Sequence, residues 1–253
     1  MDESPVINIA SDQLAAGHRA TELFVQAVRN AFKERGCCRF AVSGGKSPRT
    51  FFETLGCDSE AVSLDWKKIH LFWVDERCVG PESVESNYRL AKETFIRKVG
   101  IPAGNVHRIK GEDTDHDAES RRYETELRKV FGLTQSTDMP RFDLMVMGVG
   151  ADGHTASLFQ GSAVLDERNR LVRAVEAAGS RLARITITPP VILAAREIIV
   201  IVCGKDKAEV LSKILCRTAD SVKYPASLLL QAGRRVKWLV DKEAASLLPQ
   251  AGL

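Results

Sequence analysis

An apolar run that breaks into a glycine-rich turn around a histidine constrains this chain more than any other feature. Residues 142–149 are almost all apolar, and the turn GVGADGH occupies residues 148–154. A run without polar alternation is typical of a strand buried on both faces of a parallel sheet that is covered by helices. Ligands of such sheets bind beyond the carboxyl ends of the strands, so Asp152 and His154 lie where chemistry is expected. We expect residues 155–159 to start a helix.

Strand and helix patterns alternate along the rest of the chain. Strands are predicted at residues 39–43, 69–74, 142–149, 171–175, 184–188, 197–203 and 236–240. Helices are predicted from a Ser11 or Asp12 cap to Gly36, over 87–99 after a Ser86 cap, up to Gly132, and after residues 47, 188, 207 and 224. This alternation predicts an α/β fold with a mostly parallel sheet and helices on both faces. One domain over residues 1–253 is the simplest partition.

Composition narrows the function classes. The 253 residues carry a formal net charge of only +3, which does not favour a nucleic-acid partner. The six cysteines contain no CxxC pair, which indicates reduced thiols rather than a disulfide framework. The N-terminus MDESPVINIA lacks an apolar signal core, and no run approaches the roughly 18 apolar residues of a membrane span. We therefore expect a cytoplasmic protein with no membrane contact.

Four of the predicted strands end in turns that carry glycine or charge. These turns are SGGKS at residues 43–47, DER at 75–77, GADGH at 150–154 and GKDK at 204–207. If their strands are parallel, all four turns gather at one edge of the sheet. The sequence therefore predicts one site that is built from four distant parts of the chain.

The first turn has the composition of a phosphate site. Its residues lead from a strand into a helix: Ser43, Gly44, Gly45 and Lys46. Backbone N–H groups freed by glycine, a hydroxyl and a helix N-terminus together attract anions. The turn matches neither GxGxxG nor GxxxxGK[ST], so dinucleotide or triphosphate binding is not indicated. The alternative is an ordinary strand-to-helix turn.

Lys207 and Arg184 extend the predicted phosphate site. Lys207 lies in the first turn of a helix, where a bound anion would offset the unfavourable interaction of a lysine with the helix dipole, and we prefer it over Lys205. Arg184 begins a strand, and its guanidinium fork suits a phosphate, although Arg181 and Arg196 flank the same region. Both predicted ligands can equally be ordinary solvated surface charges.

His154 is the histidine best placed for catalysis. Imidazole accepts and releases protons near neutral pH, which suits a general base. Only this histidine combines neighbouring glycines, a nearby acid and a strand-end position; the others are His18, His70, His107 and His116. No HxH, HExxH or clustered Cys/His spacing indicates a metal, and no GxSxG elbow indicates a serine hydrolase.

Asp75 and Arg77 end a strongly apolar strand and belong either to a solvated loop or to the wall of a pocket. In a pocket, Arg77 would stabilise a developing oxyanion, and Asp75 would orient a polar partner. Sequence alone leaves both possibilities open.

Six motifs in chain order resemble the 6-phosphogluconolactonase family: SGGKSP, WVDERCV, SNYRLA, GVGADGHTASLF, RITITPPVI and GKDKA. The resemblance spans nearly the whole chain, and GxGxDGHTASLF together with DER is its most specific part. It implies a three-layer, modified Rossmann-like fold. The broader superfamily shares that fold with glucosamine-6-phosphate deaminase and ribose-5-phosphate isomerase.

The resemblance implies hydrolysis of a sugar-phosphate lactone, 6-phospho-D-glucono-1,5-lactone, to 6-phospho-D-gluconate in the oxidative pentose phosphate pathway, without cofactor or metal. The phosphate ligands would be Ser43, Gly44, Gly45, Lys46, Arg184 and Lys207. The catalytic residues would be His154, Asp152, Arg77 and Asp75. His154 would take a proton from water, and Arg77 or loop N–H groups would stabilise the oxyanion. Either aspartate would orient the histidine or a sugar hydroxyl.

Two other functions fit parts of the sequence. An amino-sugar phosphate deaminase, or a sugar-phosphate isomerase, resembles this chain in three of the turns. The deaminase pattern, however, continues after its histidine to Phe-Asn-Glu-Pro and tends to have tyrosine in place of Arg77, whereas residues 155–159 here contain no acid. A non-catalytic sugar-phosphate sensor would keep the phosphate turn but would not need Asp152 and His154. These differences favour the lactonase.

Overall fold

A computed structural model describes residues 6–177, 179 and 181–249 of the chain. Its strands are β1 (Val6–Ala10), β2 (Cys38–Val42), β3 (Ile69–Trp73), β4 (Asp75–Arg77), β5 (Val106–His107), β6 (Leu144–Gly148), β7 (Val172–Val175), β8 (Arg184–Ile187), β9 (Ile198–Val202) and β10 (Val236–Asp241). Its α-helices are α1 (Gln13–Arg35), α2 (Lys46–Leu55), α3 (Ser59–Val62), α4 (Asn87–Ala91), α5 (His116–Phe131), α6 (Pro189–Ala194) and α7 (Ala208–Leu215). None of the helices in these ranges is both long and apolar enough to cross a bilayer.

Seven strands form one parallel sheet in the order β1–β10–β9–β6–β2–β3–β5. The four strands that precede the polar turns, β9, β6, β2 and β3, are consecutive neighbours in this sheet. Helix α1 packs against β1, β2 and β10, and α2 packs against β6 and β9. The predicted α/β fold with a mostly parallel sheet is confirmed.

Burial explains why the apolar runs form strands. Every residue of β9 is buried, as are the first four residues of β6. Each such side chain stabilises the fold by roughly 1.5–3 kcal/mol when it is removed from water. The predicted ends of α1 are also observed, since the Asp12 side chain accepts the Ala15 N–H at 2.8 Å and Gly36 ends the helix with φ of 74°.

A second sheet, which the sequence did not predict, joins β4, β8 and β7 in antiparallel pairs. The predicted strands at residues 171–175 and 184–188 belong to this sheet and not to the parallel one. Residues 75–77, expected as a turn, form β4 because their backbone pairs with β8, with Arg77 opposite Arg184. This pairing brings Arg184 to the end of the parallel sheet.

Two helix predictions need correction. The helix predicted over residues 87–99 ends as an α-helix at Ala91 and continues through a π-helical turn, in which the Arg97 N–H donates to the Lys92 carbonyl at 3.4 Å. Residues 155–159 form a tight turn instead of a helix start, and Ala156 has φ of 51° there.

The strands at the two edges of the parallel sheet, β1 and β5, were not predicted. Strand β5 has two residues and β1 has five, and neither is a continuous buried run. Strand β5 carries His107, which was expected in a polar stretch but is buried. Edge strands that are only partly buried form through pairing with a neighbour and leave little apolar signal in the sequence.

Glu76 holds the beginning of α4 against β4. Its carboxylate accepts the backbone N–H groups of Arg77, Asn87 and Tyr88, each at 2.7 Å. It also accepts the hydroxyl of Ser86, the predicted N-cap of α4, at 3.0 Å. Because Glu76 is buried, water does not replace these bonds when the carboxylate is lost.

Glu76→Ala is expected to lower the free energy of unfolding by about 2–4 kcal/mol, because buried backbone donors lose this acceptor. Glu85→Ala is the matched control, since Glu85 is exposed in the same loop, and its effect should stay within about 0.5 kcal/mol. Urea denaturation of both variants measures the difference. Equal losses would contradict the role of Glu76.

Candidate active site

The four predicted turns line one cavity of about 370 Å³ at the carboxyl edge of the parallel sheet. Residues 43–48 follow β2, five lining residues come from the end of β6 and the turn after it, and Lys207 lies beyond β9; the five are Gly148, Val149, Gly150, His154 and Ala156. Asp75 and Arg77 come from β4, and β8 adds Arg184. Every residue predicted for the site lines this cavity or, in the case of Asp152, contacts a residue that does.

A larger groove of about 900 Å³ lies between α6 and the 3₁₀ segment Pro225–Arg235. Its walls are mainly apolar, and it contains none of the predicted site residues. Convergent polar groups, rather than size, mark a catalytic cavity. The smaller cavity is therefore the candidate active site.

His154 contacts Asp152 through one ring nitrogen. His154 Nδ1 and Asp152 Oδ1 form a hydrogen bond, and the same oxygen accepts the His154 backbone N–H at 3.3 Å. This bond with the histidine lowers the pKa of Asp152 to about 2, so the carboxylate is ionised at neutral pH. Because a carboxylate accepts hydrogen bonds, it favours the tautomer with the proton on Nδ1 and the lone pair on Nε2.

Two glycines permit the turn that carries His154. A Cβ atom on Gly150 would lie 2.1 Å from His154 Nδ1, so a side chain there would displace the imidazole. Gly153 has φ of 79°, and a Cβ atom there would lie 2.4 Å from Tyr224. The Gly153 carbonyl accepts the Ala226 N–H at 2.9 Å. The turn that carries His154 therefore packs on the segment at residues 224–226, which is distant in the sequence.

The turn between β2 and α2 combines a left-handed glycine with a helix N-terminus. Gly45 has φ of 112°, and α2 begins at the next residue, Lys46. The Cys203 N–H donates to Ser47 Oγ at 3.3 Å, which ties the turn to the end of β9. Ser43 Oγ is buried and has no hydrogen-bond partner among the described residues. This arrangement suits an anion, as the sequence predicted.

Arg77 and Arg184 occupy directly opposed positions on β4 and β8. Like charges at such positions destabilise an antiparallel pair. Both Nε atoms are buried and lack a hydrogen-bond partner within residues 6–177, 179 and 181–249, and burial lowers the pKa of Arg184. Arg77 uses one other donor on the Glu85 carbonyl. Both arginines line the cavity with donors that are free of protein partners among the described residues.

Lys207 is a further cation in the cavity. Its Nζ atom lies 3.3 Å from Asp206, and the side chain is largely buried. The preceding turn is held by the Gly204 N–H, which donates to the Asp241 carboxylate at 3.0 Å. The charged residues of the cavity lining are four basic and two acidic: Lys46, Arg77, Arg184 and Lys207 against Asp75 and Asp206. This excess of positive charge attracts anionic ligands.

Asn87 and Ser157 contribute to the site but were not predicted from the sequence. Asn87 Nδ2 donates to the Asp75 carbonyl at 2.8 Å, and a Cβ atom on Gly44 would lie 1.8 Å from Asn87 Oδ1. Ser157 Oγ donates to Asp75 Oδ2 at 2.6 Å. Of the two aspartates considered as partners of the histidine, Asp152 makes that bond and Asp75 bonds to Ser157. These contacts explain why residues 155–159 do not start a helix.

The two arginines that flank Arg184 lie outside the cavity lining. Arg196 pairs with Asp143 at 3.5 Å, beside the amino end of β6 and therefore at the opposite edge of the sheet. Arg181 Nη1 lies 3.7 Å from Asp152 Oδ2. Of these three arginines, Arg184 is the one that the structure brings to the predicted phosphate turn.

Two of the other histidines form a separate network at the edge of the sheet. His70 Nδ1 lies 3.0 Å from His107 Nε2, and His107 Nδ1 lies 2.7 Å from Glu126. These contacts belong to a structural network away from the cavity. Within the described part of the chain, no group of three or more His, Cys, Asp or Glu side chains is arranged to hold a metal ion.

A family model described as glucosamine-6-phosphate isomerases/6-phosphogluconolactonase matches residues 11–238. The chain belongs to this family. A 6-phosphogluconolactonase from Nostoc sp. is 33% identical over 242 residues, which cover 96% of this chain and 98% of the relative. The solved structure of 6-phosphogluconolactonase from Trypanosoma cruzi is 26% identical, with a TM-score of 0.86 and 98% of both chains covered.

The family fold also occurs in a deaminase. The solved structure of a monomeric glucosamine-6-phosphate deaminase has a TM-score of 0.80 and 20% identity, and the match covers 96% of this chain and 99% of the deaminase. At that identity the likeness shows the fold alone. Since one fold of the family carries more than one activity, the residues around His154 have to distinguish between them.

Inorganic phosphate is expected to raise the melting temperature of this family member by about 2–4 °C at a concentration several times its Kd, because the anion binds the folded state. Arg184→Gln should abolish most of this shift. Arg196→Gln is the matched control, since this arginine lies at the opposite edge of the sheet, and it should retain the shift. Equal shifts in both variants, measured by differential scanning fluorimetry, would contradict an anion site at Arg184.

Proposed function

We propose that this chain hydrolyses 6-phospho-D-glucono-1,5-lactone to 6-phospho-D-gluconate, the reaction implied by the resemblance of its motifs and by the names of its relatives. The observation that carries the proposal is one cavity lined both by the Asp152-bonded His154 and by the cationic phosphate turn. The two ends of the proposed substrate match the two parts of this cavity: the phosphate dianion matches the cationic turn, and the electrophilic carbonyl carbon matches the histidine.

His154 acts as a general base on water in this proposal. Its Nε2 takes one proton while the water oxygen forms a bond to the lactone carbonyl carbon. Collapse of the tetrahedral intermediate breaks the bond between that carbon and the ring oxygen, and His154 returns the proton to the ring oxygen. One water is consumed, and a carboxyl group and a hydroxyl group form, so the reaction needs no redox cofactor. Proton transfer of this kind contributes about 10²–10⁴-fold to the rate.

Asp152 orients the base and stabilises the imidazolium that forms during the reaction. Because its pKa is about 2, the Asp152 carboxylate is fully ionised at any pH above the ordinary pKa of aspartate, and there it orients the base fully. It loses its charge only as the pH falls towards 2. A loss of activity between pH 8 and pH 5 therefore has to come from another group.

The remaining predicted residues divide between the two ends of the substrate. The phosphate is held by the turn residues and two cations: Ser43, Gly44, Gly45, Lys46, Arg184 and Lys207. Arg77, or N–H groups of the loop, stabilises the oxyanion of the intermediate. Fixing the phosphate end orients the carbonyl towards the histidine, and such positioning supplies part of the rate enhancement. The one-domain partition and a cytoplasmic location remain predictions.

The alternatives receive less support. Residues 155–159 offer no carboxylate for amino-sugar chemistry, and the Phe159 ring packs against the His154 ring with 4.8 Å between centroids. An apolar ring beside the base cannot supply the acid that the deaminase pattern provides. A sensor would have no use for a histidine held by an ionised aspartate, and a turnover assay separates it from an enzyme.

The proposed function is tested by assaying the chain on freshly generated 6-phosphogluconolactone, with correction for spontaneous hydrolysis and with the unphosphorylated lactone as the control. Rapid turnover of the phosphorylated lactone and much slower turnover of the control are expected, because the phosphate end provides positioning. Ammonia release from glucosamine 6-phosphate would indicate the deaminase. Binding of 6-phosphogluconate without turnover would indicate a sensor.

His154→Ala should lower kcat by about 10²–10⁴-fold and leave KM within about threefold, since the base acts on water and does not hold the phosphate. Lys207→Ala is the informative counterpart, with KM expected to rise about tenfold at nearly unchanged kcat. Steady-state kinetics of both variants provide the measurement. Wild-type turnover in His154→Ala would disprove the assigned base.

A further inference from the structure

Ser157 belongs to the loop of His154, yet its bonds are made with the smaller sheet. The residue is completely buried and lies three positions after the histidine. Its hydroxyl donates to Asp75 Oδ2 at 2.6 Å, and its backbone N–H donates to Thr186 Oγ1 at 3.3 Å. Asp75 and Thr186 are opposed residues of β4 and β8. The histidine loop is thus attached to the same strands that carry the two arginines of the cavity.

Two donors lie near Asp75 Oδ2, the Ser157 hydroxyl and the Arg184 guanidinium, and the hydroxyl is the one that is hydrogen-bonded to it. Arg184 Nη1 lies 4.0 Å from this oxygen, which is too far for a hydrogen bond, whereas the Ser157 hydroxyl lies at 2.6 Å. A buried arginine and a carboxylate otherwise form short, charge-assisted bonds, often bidentate. Of these two donors, the hydroxyl is the one hydrogen-bonded to the carboxylate oxygen, and Arg184 stays beyond hydrogen-bonding distance of it.

Arg184 is not hydrogen-bonded to Asp75, so donors of its guanidinium group remain available. Its Nε atom is buried and has no hydrogen-bond partner among the described residues. Arg77 stands directly opposite and adds repulsion between like charges. An anion in the cavity would accept hydrogen bonds from Arg184 and would offset its repulsion with Arg77. An Arg184 already closed onto Asp75 would be a weaker anion ligand.

We propose that Ser157 is a positioning residue for phosphate binding, whose hydroxyl occupies Asp75 Oδ2 and so keeps Arg184 available to the phosphate of the substrate. This inference rests on the proposed assignment of Arg184 to the phosphate. Without the hydroxyl, Asp75 and Arg184 close into a direct ion pair, and a phosphate has to compete with that pair. Ser157, which lies in the loop of His154, therefore affects binding of the phosphate end of the substrate.

Ser157→Ala in the full chain tests this role with inorganic phosphate as the probe and isothermal titration calorimetry as the measurement. The Kd for phosphate should rise about tenfold, and the KM for the lactone should rise with it, while kcat stays within about threefold. Thr155→Val is the matched control in the same loop, because the Thr155 hydroxyl donates to the Gly148 carbonyl and not to Asp75. This control should bind phosphate like the wild type.

A double-mutant cycle separates this effect from general damage to the loop. In the Asp75→Asn background the competing charge is absent, so adding Ser157→Ala should leave the Kd for phosphate unchanged within about twofold. A tenfold loss in both backgrounds would overturn the proposal. Thermal unfolding of every variant checks that it folds, and Ser157→Cys, which fills similar space with a weaker donor, replaces the alanine variant if that one does not.

The remaining outcomes distinguish this inference from the proposed function. Unchanged phosphate affinity in Ser157→Ala, or a fall in kcat at unchanged affinity, would overturn the role of Ser157 and leave the lactonase standing. A wild-type chain that binds no phosphate would overturn both the phosphate site and this role. Absence of lactone turnover, with the expected phosphate results, would overturn the lactonase alone.

Discussion

Parallel pairing of four neighbouring strands is the constraint on which the site depends. Because β9, β6, β2 and β3 run in one direction, the turns that follow them meet at one edge of the sheet although they are spread over residues 43–207. Each strand is buried through its apolar side chains, so the scaffold is rigid where the turns begin. The residues that line the cavity lie at or close to these strand ends, which keeps them in fixed relation to one another.

The electrostatics of the cavity follow from a second constraint, the antiparallel pairing of β4 and β8. This pairing places two guanidinium groups opposite each other, beside a buried aspartate that is bonded elsewhere. These like charges repel one another, and a bound anion would offset that repulsion. The bond between Asp152 and His154 occupies Nδ1 and leaves Nε2 for the proton transfer of the proposed mechanism. In that mechanism, phosphate binding and proton transfer depend on different strands, which allows their effects on KM and kcat to be separated.

Most of the fold and the outline of the site follow from local sequence. Apolar runs predicted five of the seven strands of the parallel sheet, Asp12 and Ser86 predicted helix starts, and glycine-bearing strand ends predicted the cavity. What the sequence could not provide was set by contacts between distant residues. Ser157 and Asp75 are 82 positions apart, and neither has a neighbour that signals the bond between them. The same tertiary bond turned a predicted helix start into a tight turn, because local propensity is weaker than a buried charge-assisted hydrogen bond.

The contact between Gly153 and the segment that begins at Tyr224 has a consequence for biosynthesis. The turn of His154 packs on Tyr224, and the Gly153 carbonyl accepts the Ala226 N–H, so its support lies about seventy residues towards the C-terminus. Strand β10, which pairs with the N-terminal strand β1, comes later still. The turn that carries His154 is therefore synthesised before the segment that supports it. A polypeptide truncated before Tyr224 contains the histidine motif without the contacts of Gly153 that hold its turn.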